Sequence, residues 1–505
     1  MLAFIARRLV VSVLVFLAAT VVVFLMAVNV GDPLAEARQL PSGPAQESAI
    51  AEITERMNLD EPVYIRYFLW LGGVLTGDLG VTATGHSVNA MLENAVGATL
   101  QLVLGATVLS IVIGISIGVI SALRQYSGLD LSVTFAAFLF YSLPVFWVGT
   151  LLKQFVAIDL NNWLADPTLA LWVIGLVALF VALFCASLVV GDRRTRLTTF
   201  AVGFLGMVAL LWALSETGWF ADPGLGVFVI AVTAIAGAVG FTTLFSGLDW
   251  NSPVMRAAMT AAVAGIVCAL VLDPVLADPN LATIGLLALI TAAVCFAFGW
   301  VIGGELYRRS AIQAAMWTGL FTGALIFVDR MLQSFASYSE MKGGRPVSTI
   351  GAGTPNFEGT FWQSGLDSVG HLALPTLALM LISLATYTRY TRASMLEVMN
   401  QDYVRTARAK GLPERAVVTR HSLRNGLIPI TTLTAYDIGT VMGGAVVTET
   451  VFGWRAMGRM LLDGIQNGDP GPIMAFFLVA GGAIVVFNMI ADITYGFLDP
   501  RIRQA

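Results

Sequence analysis

A chain of 505 residues that is 57% hydrophobic and only 12% charged carries about half the charge of an ordinary soluble domain. That excludes a soluble enzyme or a nucleic-acid-binding module and places the protein in a membrane, where the net charge of −4 matters less than where Lys and Arg collect. Three cysteines, Cys185, Cys268 and Cys295, each lie inside an apolar run and read as small core residues, with neither a disulfide framework nor a metal site implied.

In chain order, the N-terminus MLAFIARRLVVSVLVFLAATVVVFLMAV sets Arg7 and Arg8 before an apolar run longer than the roughly 7 to 15 residues of a signal-peptide core. It is read as a retained first span whose N-terminus is cytoplasmic. A polar external segment follows over 30–94, in which ITERMNLDEPVYIRYFLWL predicts one or two short amphipathic helices. Further spans are predicted in the windows 96–123, 131–155, 168–190, 197–215, 224–247, 255–272 and 281–303. The remaining windows are 310–328, 371–390, 427–449 and 473–496, so with 9–29 the expectation is twelve spans of about 20 residues each. A second external segment, 331–370, is rich in Gly, Ser and Pro.

The loops support this topology. Those placed in the cytoplasm between 124 and 309 hold Arg124, Arg193, Arg194, Arg196, Arg256, Arg308 and Arg309. Those placed outside, 158–167, 216–223 and 273–279, hold no Lys or Arg, but contain Asp159, Asp166, Glu216, Asp222, Asp273 and Asp278. Both termini are therefore expected in the cytoplasm, in a multi-pass protein of the cell (plasma or inner) membrane.

Ionisable residues inside spans are costly and face a cavity or a partner. Asp437, in TTLTAYDIGTVMGG, is a candidate for the substrate path or for helix packing, and Glu449 is a second path candidate. Lys153 and Asp492 lie near span ends, where snorkelling or interfacial pairing is expected.

Catalytic signatures are not expected. The three lysines, Lys153, Lys342 and Lys410, none of them after a glycine, rule out a G-x-x-x-x-G-K-[ST] phosphate loop. His86, His371 and His421 are far apart and give no metal spacing, and no nucleophile elbow of the G-x-S-x-G type is expected. Any ATPase must be another polypeptide.

The longest predicted cytoplasmic loop runs from about Tyr390 to Asn425, and most of it belongs to the charged block DYVRTARAKGLPERAVVTRHSLRNGLIP, Asp402 to Pro429. Its composition predicts two short helices broken at Gly411 and Leu412, with Asn400 or Asp402 capping the first. Gly411 is suited to end that helix left-handed, and Pro413 with Glu414 suits the first turn of the second. Ala407, Ala409 and Gly411 are small enough for another protein's backbone to approach, with Arg405, Arg408 and Lys410 around that contact. Attraction of the same cations to anionic lipid is the competing reading.

The order of residues in this loop closely resembles the cytoplasmic EAA loop of ABC importer permeases, in the form used by the dipeptide and oligopeptide permease family. The resemblance extends to LTGDLGV at 75–81, SLPVFWVGTLL at 142–152, HLALPTLAL at 371–379, RYTRASMLEV at 389–398, GGAVVTETVFGW at 443–454 and DITYGFLDPRIR at 492–503. It implies an all-α integral membrane protein with the six-span core of a type I ABC importer permease. That core divides into 1–155 and 366–505, with about six further spans inserted at 156–365 and the coupling loop at 397–429. The even number of inserted spans leaves the orientation of the core unchanged. Arg455 and Ala456 depart from the Pro-Gly usual after VFGW, which puts the bend of the 450–470 loop in doubt.

Carried over residue by residue, the resemblance makes Tyr403 to Gly411 the coupling helix, docking on an ATPase subunit. Tyr403, Arg405, Ala407, Arg408, Lys410, Gly411 and Glu414 are then the contact positions. The implied partners are a second homologous permease, two ATPase subunits or one fused pair, an extracytoplasmic substrate-binding protein and membrane lipid, with no nucleic acid. The chain itself would hold no cofactor and have no catalytic residues, ATP and Mg being bound by the partner ATPases. The implied cargo is di- or oligopeptides; related permeases with the same loop carry nickel, haem or glutathione. From another class, a twelve-span ion-coupled secondary transporter would show internal symmetry and midplane charges in both halves, and neither is visible.

Overall fold

The structure is a computed structural model and describes residues 2–189, 192–431, 433, 434, 437 and 445–498. The architecture is all-α: among the described residues there is no strand, only an isolated bridge between Val81 and Ser87. The reason is the solvent. A backbone in hydrocarbon must satisfy its own N–H and C=O groups, and a helix does so within one segment.

The principal helices are α1 (Leu2–Val28), α2 (Pro44–Arg56), α3 (Val63–Thr76), α4 (Val88–Leu123), α5 (Gly128–Ser142), α6 (Val145–Leu151) and α7 (Leu171–Leu188). There follow α8 (Arg193–Glu216), α9 (Gly226–Ser246), α10 (Pro253–Val271), α11 (Leu281–Ile302), α12 (Gly304–Gln333) and α13 (Phe361–Met399). The last group is α14 (Asp402–Ala409), α15 (Glu414–Ala416), α16 (Leu423–Gly426), α17 (Val446–Val451), α18 (Met457–Gln466) and α19 (Pro470–Leu498).

Among the described residues nine helices are long and apolar enough to cross a bilayer, and a pair bent at Leu143–Pro144, where proline breaks the helix, makes a tenth. Leu171–Ser187 is a shorter apolar helix. The remaining expected window, 427–449, lies partly outside the described residues, which leave out 432, 435, 436 and 438–444. The segment 30–94 folds mainly as α2 and α3, broken by the left-handed Asn58 at φ 51°.

The chain forms two compact units, one of residues 1–157, 349–352 and 371–505, the other of 158–348 and 353–370. In the first, Phe24 and Ala27 of α1 pack with Tyr67 of α3 and with Ile473 and Met474 of α19. The Thr20 and Tyr67 hydroxyls share a buried hydrogen bond of 2.9 Å. Small residues let α4 approach α13: a Cβ on Gly114 would stand 2.6 Å from Tyr387 Cβ, and one on Gly118 2.6 Å from Thr391 Cβ. Close backbone approach through small residues spaced by four is how helices associate without a hydrophobic driving force.

The same glycines frame Ser116, so Gly114 to Gly118 does spell the Gly-x-Ser-x-Gly of a nucleophile elbow. The string lies mid-helix, with the Ser116 hydroxyl donating to Val112 O at 2.7 Å, and lacks the strand-to-helix turn that exposes a nucleophile.

The second unit is a bundle in which α10, α11 and α12 cross. Ala257, Ala258, Ala261 and Ala262 of α10 are buried with Ala311, Ala314 and Ala315 of α12 and with Cys295 of α11. Cys268, expected in the core, is exposed on α10.

Candidate coupling loop and translocation residues

The polar loop grows out of the end of α13, where a buried ion pair fixes the helix. Arg392 donates from Nε to Asp130 Oδ1 at 2.6 Å and from Nη2 to Oδ2 at 2.9 Å. Asp130, at the start of α5, also accepts from the Ser121 hydroxyl of α4 at 2.5 Å and from Tyr126 N at 3.0 Å. Four donors thus satisfy one carboxylate and tie three helices together at the root of the loop. Arg392 lies in the RYTRASMLEV motif, but nothing in the sequence marked it and Asp130, 262 positions apart, as partners. Arg389, one turn before Arg392, lies over the Phe138 and Tyr141 rings of α5 at 4.9 and 4.8 Å.

Beyond α13 the chain folds as a short helix, a tight turn and a second arm. Helix α14 starts at Asp402, but neither predicted cap is used. Gln401 occupies the N-cap without a side-chain bond. The Asn400 amide instead turns back to donate to Leu396 O at 2.9 Å. The helix ends at Lys410, and Gly411 follows with φ 74°. Pro413 stands one place earlier than a first-turn residue, at the N-cap of α15, and Glu414 begins that helix. The second arm then runs through a π-helical turn, Val417–Ser422, into α16.

The faces of α14 divide cleanly. Val404 (0% exposed) and Ala407 (6% exposed) pack on Val417 of the second arm and on Val398 of α13. The small side chain of Ala407 therefore serves the loop's own interior. Next along the arm, Val418 packs with Met395 of α13 and Ala122 of α4. Ser394 donates to Gly426 O at 2.8 Å, closing α16 onto α13. An unbroken chain of apolar contacts thus links α14 to the membrane helices.

The outer face is polar. Tyr403 is exposed, its hydroxyl accepting from Asn425 Nδ2 at 3.0 Å. Arg405 is exposed, 3.9 Å from the fully exposed Asp402 carboxylate. Arg408 holds Glu414 by two bonds of 2.7 and 3.1 Å, bracing the turn, and its guanidinium keeps the Glu414 carboxyl below the usual range. Lys410 and Gly411 are exposed, and a Cβ on Gly411 would meet nothing within 4 Å.

The two path candidates have different surroundings. Asp437 is half-buried and accepts from the Tyr387 hydroxyl at 3.1 Å, the tyrosine whose Cβ lies against Gly114. It thereby joins the crossing of α4 and α13. Glu449, on α17, is 1% exposed and is occupied as an acceptor: Thr99 Oγ1 donates to it at 3.0 Å and Gly458 N at 2.6 Å. Gly458 is in the first turn of α18, where N–H groups without a partner in the helix favour a carboxylate. Lys153 donates to Val451 O, at the end of α17, at 3.0 Å. The Asp492 side chain lies outside the described residues.

Replacing Glu449 with alanine is expected to leave the Gly458 N–H and the Thr99 hydroxyl buried without that acceptor, at about 1–3 kcal/mol for each orphaned group. Thermal unfolding of the solubilised subunit reads this as a lowered Tm; an unchanged Tm would mean the carboxylate has no structural part.

The all-helical, multi-span fold is that of type I importer permeases. The chain belongs to the family of binding-protein-dependent transport system inner membrane components, which matches residues 114–504, with the family's N-terminal membrane component matching 1–112. It is 25% identical over 505 residues, all of both chains, to a dipeptide transport system permease protein of Alkalihalophilus pseudofirmus. A dipeptide transport system permease protein of Escherichia coli K12 is 42% identical over 139 residues, which is 28% of this chain and 41% of that one. A di/tripeptide permease protein of Pseudomonas aeruginosa is 46% identical over 141 residues, 28% of this chain and 42% of that one. The protein is thus a multi-pass membrane component of a binding-protein-dependent transport system.

Proposed function

We propose that this chain is the translocation subunit of an ATP-driven importer of di- or oligopeptides, with α14 as the helix that receives an ATPase subunit. The observation that carries the reading is the division of α14: Val404 and Ala407 hold it to the membrane helices through Val417, while Tyr403, Arg405 and Lys410 stay open. Such a helix transmits displacement instead of doing bond chemistry. The peptide cargo rests on the names of the relatives.

In this reading ATP and Mg bind two partner ATPase subunits, whose closure shifts α14 and biases the spans between inward-open and outward-open states. A second permease and an external binding protein complete the assembly, and both termini of this chain face the cytoplasm. Residues 156–365 are an insertion into a core made of 1–155 and 366–505. Asp437, at a helix crossing, is the better placed of the two path candidates, because Glu449 is committed to α18.

The test is Gly411→Val. A Cβ fits there, but φ 74° is costly for a β-branched residue, by about 1–3 kcal/mol. In proteoliposomes holding the full complex, peptide uptake is expected to fall while ATP hydrolysis persists and the subunit remains inserted. Normal uptake would overturn the assignment of α14.

A further inference from the structure

The unit formed by 158–348 and 353–370 contains a slot of about 380 Å³ between α10, α11 and α12 that the transport reading does not use. Along α11 its wall runs from Ile284 to Cys295, about 16 Å at the helical rise. That is close to half of the roughly 30 Å hydrocarbon thickness, the depth of a single leaflet.

The walls carry almost no polar atoms. The Trp362 indole N–H is already given to Leu276 O at 2.7 Å, and a side-chain hydroxyl is offered only by Thr291. A peptide, sugar or nucleotide would lose its hydration there without gaining partners. The helices touch through Gly265, where a Cβ would stand 2.5 Å from Thr322 Cγ2, and the room lies beside that contact, where a Cβ on Gly323 meets nothing within 4 Å.

One end of the slot has the residues of a membrane interface. Trp362, at the start of α13, packs edge-on to Phe327 at 5.0 Å, and indole rings at span ends favour the head-group region. One turn beyond Phe327 on α12 stands Arg330, paired with Asp273 and 3.4 Å from Gln333 Oε1, and its Nε is buried with no acceptor among the described residues. Asp278 at the same end is used as the acceptor for Phe361 N at 2.9 Å.

We propose that this slot holds one acyl chain of a membrane phospholipid, with an anionic head group at the level of Arg330. An apolar channel about one leaflet long that ends at the Trp362 indole, with the Arg330 guanidinium one turn further along α12, matches the layers of half a bilayer, and guanidinium pairs well with phosphate.

The experiment uses the full chain in vesicles of phosphatidylcholine doped with phosphatidylglycerol whose acyl chain carries a photoactivatable diazirine, followed by peptide mapping. Label is expected to concentrate on the slot-facing stretches of α11 and α12. Gly323→Phe should reduce it there to the level of lipid-facing α9, whereas Gly240→Phe, on the exposed face of α9, should not. Thermal unfolding of each variant establishes that it folds, and Ala288→Leu, which also faces the slot, replaces Gly323→Phe if that variant does not. Arg330→Gln should keep the label but lose the preference for phosphatidylglycerol over a phosphatidylcholine probe. Even labelling of all spans, unchanged label in a folded slot-filling variant, or cross-linking of the slot to a protein in native membranes would each overturn the proposal.

Discussion

Arg392→Ala is expected to lower the stability of the subunit by about 3–5 kcal/mol, the cost of leaving a buried carboxylate without its cation. Asp130 is 1% exposed and cannot turn to water when the guanidinium is removed. The two remaining bonds, from Ser121 and Tyr126, cannot balance a full charge. Replacing both partners, Asp130→Leu with Arg392→Met, is expected to be much milder, because it removes the desolvation cost along with the attraction. The 11 tryptophans give a fluorescence signal for unfolding of the solubilised protein. A single variant no less stable than the double would refute the view that the pair holds α4, α5 and α13 together.

The contrast between this pair and the loop explains what the sequence could convey. Apolar length is a local property, so the spans and the all-helical class were readable directly from composition. The turn at Gly411 was readable for the same reason: a glycine, then a leucine and a proline, fixes backbone geometry within a few residues. Asp130 and Arg392 were not, since nothing local marks two charges far apart in sequence as partners. Nor could the sequence say which way Ala407 points. An eight-residue helix has small residues on several sides, and only the position of Val417 on the returning arm decides which side is inner. The N-cap failed through competition: Asn400 can bond forward to a new helix or back to Leu396 O, and the end of α13 is already there. Glu449 was a candidate for the path as an ionisable residue at the end of a predicted span. Its use as an acceptor for Gly458 N depends on a chain reversal through Trp454 that no periodicity reports.

On the proposed function, holding an ATPase and being moved by it fall to different faces of α14. Val417 touches α14 on one side and, through its neighbour Val418, leads to Met395 and Ala122 on the other. Val417→Ala would remove two methyl groups from that contact, loosening it by about 2 kcal/mol without touching the exposed face. In the reconstituted complex this variant is expected to retain its ATPase subunits and to hydrolyse ATP, yet import less peptide for each phosphate released. Arg405→Glu with Lys410→Glu should do the opposite, weakening co-purification of the ATPase while leaving the loop's interior intact. If the contact transmits displacement, the two kinds of variant divide in this way. If α14 were only a basic patch on lipid, charge reversal would cost membrane attraction alone, and Val417→Ala would leave the ratio of uptake to hydrolysis where it was.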